Sequence, residues 1–319
     1  MQDNIKLKIF DEDLTAYGKP LLSILLKDRT TGKNIIWATN DYIQLGEIYK
    51  AENEISLNIV NGGSEKFIRP RITKSYEKQN NRTRNKAEVF TPSWVCNEQN
   101  NLIDEQWFGR KNVFNIAKDR DWIPNNEKIE FPNVKNKTWK DYVDARRMEI
   151  TCGEAPYLVS RYDTVTGEVI NLKSRIGLLD RKIRVVSENA KNEDEWIKWT
   201  VRAFQSVYGY EFQGDNLLLA RENLLHTFID NVRDKLKREP SLKELKRIAT
   251  IISWNLWQMD GLTFAIPFSE LREEYQQMSL FENLEDLKEK PKDKYCKIKN
   301  WRSNIILEYR TLLEGRKNG

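Results

Sequence analysis

The amino-terminal quarter of the chain carries short apolar runs separated by polar turns. Residues 21–26, 34–38 and 55–60 are rich in apolar or β-prone side chains, and the polar stretch 28–33 between the first two is typical of a hairpin turn. These runs predict strands. We therefore expect residues 1–80 to form a small, β-rich lobe that ends in a linker.

From residue 81 onward, helix-like and strand-like segments alternate. The spacing of apolar side chains predicts helices at residues 95–106, 139–146, 177–188, 193–205, 216–237 and 241–252. Short apolar runs predict strands at 148–150, 206–212 and within 251–259, and a small hairpin at 162–170. Ser241 and Glu244 have the spacing of a capping box, which begins the last helix. Because strands that alternate with helices form parallel sheets, we expect residues 81–319 to be an α/β domain.

Composition excludes several classes of protein. The 10 Trp, 12 Tyr and 12 Phe supply a hydrophobic core, which a disordered chain lacks. No apolar run reaches the length of a membrane span and no signal-peptide pattern is present, so we expect a soluble, cytoplasmic protein with no membrane partner. The three scattered cysteines predict buried thiols, with neither disulfides nor a metal site. His226 is the only histidine, which leaves little room for histidine-dependent hydrolase chemistry.

Positive charge is concentrated in one segment. Residues 66–86 hold eight basic side chains and one acid, Glu77, whereas the whole chain has a net charge of only +5. Such a block predicts contact with the phosphate backbone of double-stranded DNA, and a solvated linker is the alternative interpretation. The candidate DNA-binding residues are Arg69, Arg71, Lys74, Arg82, Arg84 and Lys86.

Three residues lie at or just beyond the ends of predicted strands, where open α/β sheets bind ligands. Gly153 lets a ligand approach the backbone, Glu211 is placed to accept from ribose hydroxyls, and Asp260 is placed to accept from a nucleobase amine. Each also has a structural interpretation. Gly153 fits an ordinary turn, Glu211 a buried structural acid, and Asp260 a helix cap.

Taken together and in order, four segments resemble adenine-specific DNA methyltransferases of restriction-modification systems. Residues 85–95 contain a Phe-Thr-Pro motif, and residues 151–156 (Thr-Cys-Gly-Glu-Ala-Pro) resemble the family's cofactor loop. Residues 208–224 (Tyr-Gly-Tyr-Glu through Ala-Arg-Glu-Asn-Leu) are similar to its ribose-binding strand and following helix. Residues 258–262 (Gln-Met-Asp-Gly-Leu) resemble the segment whose acid holds the cofactor's adenine ring. The resemblance covers about residues 82–265.

The resemblance implies a Rossmann-like methyltransferase fold that binds S-adenosyl-L-methionine. It places nine residues at the cofactor, namely Phe90, Thr91, Pro92, Thr151, Cys152, Gly153, Glu211, Phe212 and Asp260. The Phe-Thr-Pro motif and the loop are expected at the methionine end. Glu211 is expected at the ribose, with Phe212 beside the adenine and Asp260 at its exocyclic amine.

The sequence departs from the family pattern at three points. Ala155 and Pro156 stand where the family has a second small residue, and Gly153 precedes Glu211 by many more residues than a simple βαβ unit allows. We therefore expect a hairpin and an extra helix to be inserted between them. The family's Asn-Pro-Pro-Tyr motif, which holds the flipped adenine, does not occur. The chain thus resembles one cut short before that motif, or one member of a split pair with a partner subunit or nuclease.

Three functions follow as hypotheses. The first is the cofactor-binding part of an adenine-specific DNA methyltransferase, and the second is a catalytically inactive DNA-binding or specificity module on a degenerate scaffold. The third, a restriction nuclease, would rest on the acid clusters at residues 11–13 and 193–195. Those clusters are better explained as a solvated loop and a helix start.

Overall fold

The computed structural model describes residues 19–61, 68–73, 91–269 and 295–314. At its centre lies a parallel sheet of three strands, β3 (Arg147–Glu149), β4 (Val207–Glu211) and β5 (Leu256–Gln258), in the spatial order β3-β4-β5. All five residues of β4 are buried, as expected for the middle strand of a sheet that is covered on both faces. The predicted α/β class with a parallel sheet is confirmed.

Helices surround this sheet. The described residues contain nine α-helices: α1 (Lys19–Leu26), α2 (Leu57–Asn61), α3 (Ser93–Phe108), α4 (Trp139–Asp144), α5 (Leu178–Asn189), α6 (Glu193–Gln205), α7 (Gly214–Leu236), α8 (Leu242–Asn255) and α9 (Thr311–Glu314). Two antiparallel hairpins accompany them, β1 (Asn115–Lys118) with β2 (Asp121–Pro124), and β6 (Lys297–Asn300) with β7 (Ile305–Glu308). The predicted capping box of Ser241 and Glu244 begins α8.

The connections between the parallel strands account for the long spacing in the sequence. Helices α5 and α6 lie between β3 and β4, preceded by a small turn in which Tyr162 bridges Val169. Helices α7 and α8 lie between β4 and β5. The insertion that the sequence required between Gly153 and Glu211, a hairpin and an extra helix, is therefore present.

Helix α7 is the central helix of the molecule. It packs against both β4 and β5 and against α1, α5 and α8, so most of its residues are buried around the whole circumference. Such burial explains why its sequence lacks the one-sided apolar stripe of a surface helix.

The prediction of a β-rich amino-terminal lobe is wrong for the residues that the structure describes. Residues 21–26 belong to helix α1, and most of 55–60 lies in helix α2. A six-residue apolar run fits a buried strand or one face of a short helix equally well. The run in α1 is helical because it packs against α8, which buries Leu21, Leu22, Leu25 and Leu26.

The predicted turn at residues 28–33 is present, although it does not join two strands. Asp28 accepts from the amides of Thr30 and Thr31, and Lys27 forms an isolated bridge to Asn34. Residues 34–37 continue beside the sheet, and Ile36 forms an isolated bridge to Glu54. The side chain of Gln258 at the end of β5 both donates to and accepts from the backbone of Ile36, each over 2.9 Å.

The amino-terminal residues share one hydrophobic core with the α/β part. Arg221 of α7, which is fully buried, donates to the backbone carbonyls of Leu25 and Lys27 and to that of Leu256. Because an Arg in this position satisfies several buried carbonyl groups at once, it ties α1 to the sheet. The division of the chain at residue 80 stays a prediction.

Two further observations concern the described residues as a whole. All three cysteines are unpaired and buried, as predicted. Among the helices in these ranges, none has the length and apolar character that crossing a membrane requires.

Candidate functional site

A cavity of about 740 Å³ lies just beyond the carboxyl ends of β3 and β4, where open parallel sheets bind their ligands. We refer to it as the pocket. It is lined by Thr91, Gln99, Asn100, Ile103, Met148, Glu149, Ile150, Thr151, Cys152, Gly153, Pro156, Tyr157, Leu178, Glu211, Phe212, Gln213 and Asn216. Its volume is within the range of about 300–1,000 Å³ that small-molecule sites occupy.

The loop at residues 151–155 forms one wall of the pocket and has an unusual backbone. Thr151, Gly153 and Ala155 have positive φ angles of 45°, 52° and 64°, a region that residues other than glycine rarely adopt. The surrounding structure holds this conformation, since Cys152 donates its amide to the Tyr210 carbonyl over 2.8 Å and Ala155 donates to Cys152 over 2.7 Å. Strain held in this way is typical of ligand sites.

Glu211, at the end of β4, is bonded directly to this loop. Its Oε2 accepts from the amide of Gly153 over 2.8 Å, and its Oε1 accepts from the amide of Gln213 over 3.1 Å. The side chain is therefore fixed in orientation. A carboxylate oxygen can accept from more than one donor, which is the chemistry that a ligand hydroxyl requires.

Glu149 is a second buried acid on the pocket wall, and it is not among the predicted site residues. It ends β3 and accepts from the amides of Tyr157 and Leu158 over 3.3 and 3.1 Å. Burial, and to a smaller extent the nearby Glu211, raise its pKa to about 8, although the two hydrogen bonds act to lower it. The sequence feature that could have identified Glu149 as a site residue is its position in the predicted strand 148–150, four residues before Gly153.

The Phe-Thr-Pro motif lies at the start of helix α3. Thr91 lines the pocket, Pro92 precedes the first turn of the helix without lining the pocket, and Phe90 lies outside the described residues. The small turn after β3 holds this segment in place. Asp163 accepts from the Ser93 amide over 2.6 Å, and Thr164 donates to the Thr91 carbonyl over 3.2 Å.

Residues predicted at the adenine end are divided between two places. Phe212 lines the pocket, and its ring meets that of Phe268 edge-on at 5.8 Å. Asp260 is not among the lining residues, and its Oδ1 accepts from the amides of Leu262 and Thr263 in a local turn. Six of the predicted cofactor residues therefore line the pocket, and Asp260 does not. The six are Thr91, Thr151, Cys152, Gly153, Glu211 and Phe212.

The Ala-Arg-Glu-Asn segment of α7 contributes to the site indirectly. Asn223 donates to the Glu154 carbonyl and to the Tyr162 hydroxyl, each over 3.1 Å. The same hydroxyl donates to the Glu154 carboxylate over 2.5 Å. Asn223 and Tyr162 therefore hold Glu154, and with it the loop, in place.

The structure describes little of the predicted DNA-binding segment. Arg69 is exposed, and Arg71 begins a short 3-10 helix, Arg71–Thr73. Lys74, Arg82, Arg84 and Lys86 lie outside the described residues.

The pocket has a distinct electrostatic character. Among its described lining residues, Glu149 and Glu211 are acidic and none is Lys, Arg or His. Neutral polar groups are added by Gln99, Asn100, Gln213 and Asn216, which suits a ligand with several hydrogen-bonding positions.

No family model, curated protein or solved structure matches this chain.

Proposed function

We propose that this chain binds S-adenosyl-L-methionine in the pocket and forms the cofactor-binding part of an adenine-specific DNA methyltransferase of a restriction-modification system. The observation that carries the proposal is the bond between Gly153 and Glu211. It joins the ends of two adjacent parallel strands, in a pocket that Thr91 also lines. These are residues that the resemblance implies at the cofactor, and they are far apart in the sequence.

The topology supports the Rossmann-like part of the proposal. Strands β3, β4 and β5 are parallel, neighbour one another in chain order, and are joined through helices. This arrangement corresponds to one half of a doubly wound sheet, in which a nucleotide ligand lies beyond the carboxyl ends of the strands.

The groups on the pocket wall suit the parts of this cofactor. The backbone at Gly153 permits close approach of the methionine end, since glycine has no side chain there. Glu211 has the acceptor character that vicinal ribose hydroxyls require. The ring of Phe212 offers an apolar surface to an adenine.

Methyl transfer requires the protein to position the two reactants and depends less on an acid-base residue. When bound, the cofactor would supply a sulfonium methyl group; a C–N bond to the exocyclic amine of adenine would form as the C–S bond breaks, and the amine nitrogen would lose a proton to solvent. The residues of this chain contribute by binding and orienting, which suits a pocket without histidine. Because the Asn-Pro-Pro-Tyr motif does not occur in the sequence, the proposal assigns cofactor binding to this chain and leaves the adenine-binding residues unassigned.

Isothermal titration calorimetry with S-adenosyl-L-methionine tests this proposal. Saturable binding of one equivalent is expected, weakened at least about tenfold by Glu211→Gln, which loses one acceptor. Asp121→Asn on the exposed β1-β2 hairpin is the matched control and should bind as the wild type does. Absence of binding by folded wild-type protein, with folding established by circular dichroism, would contradict the proposal.

A DNA-binding module on a degenerate methyltransferase scaffold is the second candidate. The basic block at residues 66–86 and the lack of the adenine-binding motif favour it. Titration of a DNA duplex at several salt concentrations discriminates, because phosphate contacts weaken binding steeply as salt rises. DNA binding with that salt dependence, together with no cofactor binding, would favour this candidate.

The structure gives no support to the nuclease hypothesis at residues 193–195. This acid cluster forms the first turn of α6, where acidic side chains stabilise a helix amino terminus. Glu193 pairs with Arg238, and Glu195 pairs with Lys140. The other cluster, at residues 11–13, lies outside the described residues.

A further inference from the structure

A group of arginines lies at the end of the central sheet opposite the pocket. The side chains of Arg146, Arg202 and Arg302, together with the carboxylate of Asp144, line one shallow depression, which we call the basic patch. Arg146 directly precedes β3, Arg202 lies in the last turn of α6, and Arg302 lies in the turn between β6 and β7. The patch is therefore at the amino ends of β3 and β4, whose carboxyl ends form the pocket.

Two acceptor residues bring the three guanidinium groups together. Asp144 pairs through one carboxylate oxygen with Nε of Arg202 and through the other with Nη2 of Arg302, the latter over 2.5 Å. Oδ1 of Asn300 accepts from Nη2 of Arg146 and from the backbone amide of Arg302, each over 3.1 Å. In their contacts with the described residues, the guanidinium groups of Arg146 and Arg302 donate only through Nη2. Because a guanidinium group has five N–H donors, each can still bind a ligand.

Positive charge exceeds negative charge at the basic patch. Its described lining residues include three arginines and one acid, Asp144. Burial raises the pKa of the Tyr208 hydroxyl in the patch, whereas all three guanidinium groups act to lower it. Lys299 adds a further cation, with its Nζ 4.5 Å from the centre of the Trp301 ring, which also lines the patch. The side chain of Arg302 has 49% of its surface exposed, so a ligand can reach this charge from solvent.

The shape and chemistry of the basic patch suit phosphate groups on an extended chain. A guanidinium group can donate two parallel hydrogen bonds to the oxygens of one phosphate group. The depression has no internal space for a small anion, whereas a polyanion can contact the exposed guanidinium groups from outside. These features favour a nucleic acid backbone over free phosphate.

We propose that the basic patch binds the phosphate backbone of double-stranded DNA. Phosphate contacts hold a duplex in place without reading its sequence. The patch therefore adds a sequence-independent DNA contact, formed by residues outside the basic block at 66–86. The inference does not rest on the proposed function, because phosphate contacts at this end of the sheet need no cofactor in the pocket.

The experiment measures binding of a short, fluorescently labelled duplex to the full chain by anisotropy at several salt concentrations. Arg146→Gln and Arg302→Gln should each reduce the slope of log affinity against log salt by about one, because each removes a phosphate contact. The double variant should bind at least about tenfold more weakly at low salt. Arg110→Gln is the matched control, since it removes the same charge from an exposed position just after α3. It should leave affinity and slope unchanged.

Lysine variants separate the effect of charge from that of structure. Arg146→Lys and Arg302→Lys keep the positive charge and should retain the salt dependence of the wild type. Glutamine and lysine variants that lose equal affinity would overturn the inference. The same conclusion would follow from equal slopes for the wild type and the folded double glutamine variant, or from no binding of the duplex by the wild type at low salt.

Two other anions, poly-L-glutamate and inorganic phosphate, test the class of ligand. At equal concentration of charge, both should bind more weakly than the duplex. Either of them binding as tightly as the duplex, and being weakened equally by the double glutamine variant, would overturn the assignment to DNA. Cofactor binding is measured separately by calorimetry. Duplex binding that depends on the patch, without cofactor binding, would leave this inference standing and contradict the proposed function alone.

Discussion

The amide nitrogen of Gly153 lies 2.8 Å from Oε2 of Glu211 and donates a hydrogen bond to it, although 58 residues separate the two in sequence. The bond joins the loop that follows β3 to the end of β4. It fixes the position of a carboxylate on the pocket wall and the conformation of the loop at the same time. The order of this loop therefore depends on a residue that we also propose as a ligand-binding group.

Removal of the Glu211 carboxylate should loosen the loop even without a ligand. In Glu211→Ala the Gly153 amide, which is partly buried, loses its acceptor, and leaving such an amide unpaired costs up to roughly 1–3 kcal/mol. Hydrogen exchange of the Gly153 amide should become at least about tenfold faster, because local opening costs less free energy. Unchanged protection at Gly153, with core amides of α7 also unchanged, would show that the loop does not depend on this bond.

Asn223 should affect ligand affinity through the loop that it braces. Asn223→Leu removes the donors to the Glu154 carbonyl and the Tyr162 hydroxyl. We expect affinity for S-adenosyl-L-methionine to fall about tenfold, because small displacements of positioning groups are costly. Asn231→Leu is the matched control on the same helix, since Asn231 donates only within α7, to the Thr227 carbonyl. Equal losses of affinity in the two variants would argue against a specific role for Asn223.

Glu149 should make stability decrease with rising pH. Its pKa is about 8 in the folded protein against 4.5 for an ordinary glutamate. Between these values the folded chain holds a proton that the unfolded chain has lost, so the free energy of unfolding falls as pH rises through this window. The decrease should be on the order of 3–5 kcal/mol in total.

Chemical denaturation of the wild type and of Glu149→Gln from pH 4.5 to pH 9 checks this expectation. The glutamine variant cannot ionise, so its free energy of unfolding should depend less steeply on pH within this window. Parallel pH profiles for the two proteins would mean that Glu149 ionises in the folded state as it does in water.

Gly214 should tolerate no side chain, because the start of α7 lies against the backbone of Ile36 and Trp37. A Cβ atom at this position would come within 1.9 Å of the Ile36 carbonyl oxygen. We expect Gly214→Ala to lower the free energy of unfolding by at least about 2 kcal/mol. At Gly209 in β4 the nearest atoms would be 3.4 Å away, so Gly209→Ala should cost much less in the same urea titration. Similar midpoints for both variants would contradict this packing.

The parallel sheet could be predicted because strands and long amphipathic helices alternate along the sequence, and this alternation can be recognised from local patterns. Strands β4 and β5 are short, buried runs that follow amphipathic helices, and the capping box of Ser241 marks the start of α8 directly. The ends of β3 and β4 follow from those runs, and ligand sites lie at such ends. The sequence was therefore sufficient to predict that Gly153 and Glu211 lie at the same pocket.

The errors arose where tertiary contacts decide the structure. Residues 21–26 are helical because α8 offers them a packing surface, and no local pattern shows that surface. Glu149 was not predicted because its importance comes from burial beside Glu211. Asp260 follows its strand as predicted, and its Oδ1 accepts from the amides of Leu262 and Thr263 in its own turn; its place at an adenine ring stays a prediction.

The most direct test of the cofactor pocket is a titration of isotopically labelled protein with S-adenosyl-L-methionine, followed by amide resonances in nuclear magnetic resonance spectra. We predict saturable shifts at Thr151, Gly153 and Gln213, with the β1-β2 hairpin unaffected. Saturable binding that leaves these three resonances unmoved, or no binding by folded protein, would contradict the assignment of the cofactor to this pocket.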